Sequence, residues 1–295
     1  MICDLCPRMC GAERTEYTGA GVCRMGTLPV VARAAAHFGE EPCISGPGGS
    51  GAVFFAGCAL GCVFCQNGVL SRERYGMTVT PARLREIYFE LCEKGVHNIN
   101  LVTASHFTDA VIASLEGGLP VPVIWNSSGY DRVETLRRLR GKIQVYLPDF
   151  KYMDHRMAAA YSHAPDYPET AKKAILEMFR QTGPYELDDN GLIRRGVIIR
   201  HLVMPGKLDN SFDVMDWVAE TFKPGDVLFS LMSQYTPQGG TERFPELGRR
   251  LTKEEHRRAV DYLGASGIGD GFYQDLDASG EEFIPAFDLT GVKKG

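Results

Sequence analysis

Nine cysteines stand at positions 3, 6, 10, 23, 43, 58, 62, 65 and 92, and seven of them fall in two tight groups. The count is odd, and in a reducing compartment such grouping reads as metal or cluster ligation before disulfides. The segment from Gly57 to Asn67 gives C-x3-C-x2-C through Cys58, Cys62 and Cys65. Three thiolates this close can converge on one cuboidal iron–sulfur cluster and leave its fourth iron without a protein ligand, an open site for reaction. Structural zinc wants four ligands and would have to recruit Cys43. The plain alternative, three ordinary buried cysteines, fits this spacing poorly.

Cys3, Cys6, Cys10 and Cys23 form C-x2-C-x3-C-x12-C, a complete four-ligand set. It suits a closed tetrahedral zinc or a fully ligated second cluster, and spacing alone does not decide. The reading leans to a closed structural metal. Zinc would staple the leader down, whereas a cluster could relay electrons; free thiols are the remaining option. Cys43, after Pro42, reads as a plain buried thiol. Cys92 sits on an apolar helix stripe and reads as core.

The elements that must hold these groups follow from pattern. Of 295 residues, 44% are apolar, enough for a sizeable core. Lys plus Arg is 32 against 37 Asp plus Glu, a balance of −5 that offers no general draw toward nucleic acid or an anionic membrane. The longest uncharged span, residues 42–71, contains Pro47 and seven glycines. Its dense apolar part, Ala52 to Cys65, is too short to span a bilayer, which needs roughly 20 apolar residues. The first ten residues show no signal peptide. A cytoplasmic protein is expected, with no nucleic-acid or membrane partner.

Ala52 to Ala56 reads as a strand. Thr80-Pro81 caps a helix to Lys94, with Leu84, Ile87, Tyr88, Leu91 and Cys92 as its buried stripe and Gly95 as its stop. Strands near 98–103, 121–126, 143–147, 196–203 and 227–231 alternate with helices near 108–115, 131–139, 167–181 and 211–222. Six near-continuous apolar strands with crossover helices predict an α/β fold, a parallel sheet curled into a partial or full β/α barrel. Reactive groups in such folds follow the C-terminal ends of strands, where the three-cysteine loop stands. Residues 1–50 are expected as a Cys-rich metal-binding extension, 51–238 as the core, and 239–295 as a C-terminal helix and tail opened by a Thr252/Glu255 capping box.

The loop, with an aromatic before its last cysteine, resembles the radical S-adenosylmethionine superfamily. More narrowly, the chain is similar over roughly residues 32–233 to the pyruvate formate-lyase activating enzyme family, in a branch with a Cys-rich N-terminal extension. Asp149-Phe150-Lys151 matches a D-x-K strand end. Arg200-His201-Leu202-Val203-Met204-Pro205-Gly206 matches an R-aromatic-apolar-P-G strand end, and Trp125-Asn126-Ser127-Ser128-Gly129 an N-x-x-G strand end.

The resemblance implies that Cys58, Cys62 and Cys65 hold a 4Fe-4S cluster whose open iron chelates the amino and carboxylate groups of S-adenosylmethionine. Reductive cleavage would give methionine and a 5′-deoxyadenosyl radical that takes hydrogen from a substrate. Flavodoxin or ferredoxin would supply the electron. The substrate could be a protein, peptide or small molecule, a glycyl-radical enzyme being one option among several; a non-catalytic iron–sulfur carrier and a zinc-binding interaction module are the alternatives. By motif, Phe64 and Gln66 should lie near the adenine, and Asp149, Lys151 and His201 should line the nucleoside or substrate, with Asn126 beside them. Asp149 and Lys151 could instead be a solvated pair, Asn126 a turn cap, and His201 a hydrogen-bonded core histidine. The family's G-G-E segment is replaced by Leu101-Val102-Thr103-Ala104-Ser105-His106, so Thr103 and Ser105 hydroxyls are the expected acceptors for the cofactor's amino group. The Gly-rich run 45–51 precedes a strand, so it is no dinucleotide loop.

Overall fold

The computed structural model describes residues 2–276 and 285–294. In chain order it contains β1 (Val30–His37), α1 (Pro42–Ser45), β2 (Ser50–Phe55), α2 (Gly68–Ser71), β3 (Met77–Thr78), α3 (Pro81–Glu93) and β4 (Ile99–Val102). Then come α4 (Thr108–Ser114), β5 (Val123–Ser127), α5 (Val133–Arg138), β6 (Val145–Pro148), α6 (His155–Ser162) and α7 (Tyr167–Thr182). The last are β7 (Glu186–Leu187), β8 (Ile193–Leu202), α8 (Leu208–Thr221), β9 (Leu228–Met232), α9 (Lys253–Ala265) and β10 (Gly271–Tyr273).

Strand order is β10-β9-β8-β6-β5-β4-β2-β1-β3, with β7 beside β8. The pairings from β2 through β10 along this path are parallel, while β1 runs antiparallel to β2 and β3. The six expected parallel strands are β2, β4, β5, β6, β8 and β9. Among the described residues the sheet stays open between β10 and β3, so the barrel is partial. Several elements lay outside the sequence pattern: β1, within the stretch read as a leader, the short helices α1, α2 and α6, and the short strands β3, β7 and β10.

The helix signals act as their chemistry requires. The Thr80 hydroxyl accepts the Arg83 amide at 3.1 Å, and Leu84, Ile87, Tyr88 and Leu91 are buried. Cys92 departs from the expectation of core. It stands at the end of the stripe, near the helix terminus, and is only partly buried. The Thr252/Glu255 capping box closes α9 from both sides, at 3.1 and 2.9 Å.

Period-two alternation sorts the strand residues between two faces. Ile99, Leu101, Trp125, Tyr146, Val197 and Ile199 pack in the main core with the helices. Ile124, Val145, Leu147, Ile198 and Leu228 form a second cluster with Cys43 and Ile44 of α1, which fills that side of the sheet. Cys43 is therefore a core thiol, as the sequence suggested, and burial pushes it up to about 12. Among the described residues no helix is long and apolar enough to cross a membrane.

The strand ends meet at Gly129, whose φ is +73°. A Cβ there would lie 2.2 Å from the Asp149 carbonyl oxygen, so only glycine lets the loops after β5 and β6 approach this closely. Gly129→Ala is expected to destabilise the fold by more than about 1 kcal/mol, read as a lowered urea midpoint; an unchanged midpoint would refute this tight approach.

Candidate functional site

The sequence brings its reactive groups to the C-terminal ends of the parallel strands. Cys58, Cys62 and Cys65 follow β2, Thr103 follows β4, Asn126 to Ser128 end β5, Asp149 and Lys151 follow β6, and Arg200 is near the end of β8. These residues, with Phe64, Gln66 and Asn67, line one cavity of about 180 Å³. Phe64 is buried in an aromatic cluster, with ring centroids 6.4 Å from Tyr152 and Tyr161 and 6.2 Å from Tyr235.

A buried ion network stiffens the opposite wall. The Arg200 Nε donates to Asp149 Oδ1 at 3.0 Å, Nη1 to Glu40 Oε2 at 3.0 Å, and Nη2 to Asn126 Oδ1 at 2.6 Å. Lys151 Nζ takes the other Asp149 oxygen at 2.6 Å. Burial alone would raise the Asp149 carboxyl, but the Lys151 and Arg200 cations outweigh it and hold the group below its ordinary value. The same contact keeps Lys151 charged against its own desolvation. Asp149 and Lys151 are thus not a solvated pair, and Asn126 is a network member rather than a turn cap. Sequence reasoning missed Glu40, 160 positions from its arginine; nothing in a local pattern could mark it.

Two expectations need correction. His201 is fully buried and absent from the residues lining the cavity: Nδ1 lies 2.6 Å from the Phe150 carbonyl and Nε2 2.9 Å from the Ser211 hydroxyl. Alternation explains it, since Arg200 takes the cavity face of β8 and its neighbour must face α8. Burial lowers His201 to about 4, which keeps it neutral. Ser105 also turns away, its hydroxyl donating to Asp131. Thr103 remains at the cavity wall, with φ +63°, a left-handed backbone held by its amide bond to the Asn126 carbonyl at 2.8 Å.

The donor set fits an iron–sulfur cluster. The thiols of Cys58 and Cys62 are raised by burial, Cys62 to about 12, with the Ser162 hydroxyl 2.9 Å from its sulfur. Such thiols gain strongly from a soft cationic partner that stabilises the thiolate. Asn67 leaves a buried Oδ1 without a partner at the same wall. Among the described residues no three His, Cys, Asp or Glu side chains are gathered tightly enough for a single metal ion.

Cys3, Cys6, Cys10 and Cys23 of the leader are electrostatic neighbours, and burial pushes Cys6 up to about 12. The leader is seated against the loop. Arg8 Nε donates to Ala59 O at 2.8 Å, Nη2 to Ser162 O at 2.8 Å and Nη1 to His163 O, and its guanidinium lies over the Tyr130 ring.

One likeness among known proteins agrees with this donor set. Residues 44–146 match the family described as a 4Fe-4S single cluster domain. An uncharacterized protein of Methanocaldococcus jannaschii is 29% identical over 270 residues, covering 88% of this chain and 73% of that protein. A domain of pyruvate-formate lyase-activating enzyme from Bacteroides vulgatus aligns at 12% identity with a TM-score of 0.37, over 66% of this chain and 91% of that domain. The cysteine loop lies inside the matched cluster domain. The match supports an iron–sulfur cluster at this loop.

The ion network makes a pH-dependent prediction. A carboxylate held below its ordinary value contributes stability above its unfolded pKa and loses it as pH falls through the folded one. Asp149→Asn is expected to cost about 3 kcal/mol at pH 7, by leaving Lys151 without its carboxylate and Arg200 with Glu40 as its one remaining anion. The gap to wild type should narrow as pH falls below about 4, near the ordinary value for a free Asp. Urea midpoints across pH would check this; a gap independent of pH would contradict the network.

Proposed function

We propose that the chain is a radical S-adenosylmethionine enzyme that cleaves the cofactor reductively and abstracts hydrogen from a substrate. One observation carries the reading: Cys58, Cys62 and Cys65 share a cavity with the Asp149–Arg200–Lys151 network, Asn126 and Gln66 at the C-terminal ends of a parallel sheet. Cys58, Cys62 and Cys65 would hold a 4Fe-4S cluster. When bound, cluster and cofactor supply methionine and a 5′-deoxyadenosyl radical by cleavage of the sulfonium C–S bond.

The chain's own residues then bind, orient and exclude water. Phe64 and Gln66 would flank the adenine. Asp149, Lys151 and Asn126, fixed by Arg200, offer acceptors and donors that cost no reorganisation. Thr103 and its neighbouring backbone carbonyls, without Ser105, are left to receive the amino group. The apolar, low-dielectric surroundings strengthen each of these contacts.

Flavodoxin or ferredoxin would serve as electron donor in a cytoplasmic setting, and a glycyl-radical enzyme is one candidate substrate. The four leader cysteines are a full ligand set for a closed structural metal such as zinc or for a second iron–sulfur centre. Anaerobically reconstituted protein should show iron-type visible absorption and, with dithionite and S-adenosylmethionine, release 5′-deoxyadenosine. Cys58→Ala should abolish the release. Colourless protein, or coloured protein that releases none, would overturn the proposal.

A further inference from the structure

Beside the cluster-side cavity lies a larger chamber of about 550 Å³, sharing Gln66, Asn67, Asn126 and Arg200 as walls. Its volume falls in the range of small-ligand sites. Resting on the function proposed above, this is where a substrate would meet the cofactor, and its charges are uneven. Arg200 and Lys151 are matched by Asp149 and Glu40, each of whose four carboxylate oxygens is bonded: Glu40 Oε1 also takes the Asn100 amide at 2.9 Å. Among the described residues no other lysine or arginine lines either cavity. His37 in the chamber wall is kept neutral by burial and by Arg33.

Glu41 is left over. It lines the chamber but not the cluster-side cavity, is 8% exposed, and its Oε2 has no hydrogen-bond partner. Burial pushes the Glu41 carboxyl up, so a cation arriving at the free Oε2 would stabilise its ionised form. The rest of the wall suits the stem of such a ligand: Phe54 is buried, and Phe38 and Tyr273 stand exposed at the chamber. Aromatic faces favour an ammonium and its aliphatic chain.

We infer that the chamber selects a substrate bearing a protonated amine on an aliphatic stem, with Glu41 as the specificity-determining carboxylate. The test uses the anaerobically loaded holoenzyme and n-pentylammonium chloride as probe, with neutral 1-pentanol as its match, by isothermal titration calorimetry. Pentylammonium should bind at least about tenfold more tightly than pentanol. Glu41→Gln should erase that preference and Glu41→Asp should retain part of it, while both variants keep wild-type affinity for S-adenosylmethionine and wild-type uncoupled release of 5′-deoxyadenosine.

Equal affinity for the two probes, no binding of either up to about 10 mM, or a preference that survives in Glu41→Gln overturns the inference. So does loss of cofactor affinity in Glu41→Gln, which would make Glu41 the acceptor for the cofactor's own amino group. Because the probe is read without turnover, failure here leaves the cluster chemistry standing. Absence of 5′-deoxyadenosine from the wild-type chain strikes only the latter.

Discussion

The guanidinium of Arg200 ties together four pieces of chain that sequence keeps far apart. Its three bonded nitrogens reach Asp149 after β6, Asn126 on β5, and Glu40 between β1 and α1. A buried arginine is tolerable only when its fork is fully matched, and here each acceptor comes from a different segment. The network therefore fixes the spacing of the strand ends in the same low-dielectric space that the cysteine loop faces. Its worth is positional: a buried ion network is weak evidence for stability, but one with every partner placed holds a rigid polar wall.

Seen from that wall, the leader is part of the site's support. Arg8 grips the carbonyls of Ala59, Ser162 and His163, and the Ser162 hydroxyl in turn bonds the Cys62 sulfur. Met25 packs so closely on Gly57 that a Cβ there would sit 2.4 Å from its Cγ. The three-cysteine loop is thus braced from outside by a segment that carries four cysteines of its own. This joins the two cysteine groups mechanically.

Much of this was legible before any coordinates. The parallel strands were visible because buried strands read as unbroken apolar runs, and α3 because a Thr-Pro start and a five-residue stripe leave little freedom. β1 escaped notice because Val30 to His37 is alanine-rich and sits among glycines and cysteines that suggested a leader. α6 is short and capped by Asp154, whose side chain accepts two amides, a signal easily taken for a turn. At the site, the motif located the right strand ends but could not say which of two adjacent side chains faces inward. Arg200 and His201 are separated by that one-residue parity. Glu40 and Glu41 were invisible for a different reason: their roles come from topology that folds a loop across the sheet's mouth.

The central claim is that one cofactor-binding cavity is walled on one side by a site-differentiated cluster and on the other by the Arg200 network. Electron paramagnetic resonance of dithionite-reduced Cys3→Ala protein, recorded with and without S-adenosylmethionine, tests it most directly, because only the centre at Cys58, Cys62 and Cys65 should remain. The account predicts a reduced 4Fe-4S signal whose g values shift when the cofactor is added. A signal indifferent to the cofactor, or no cluster signal at all, would contradict it.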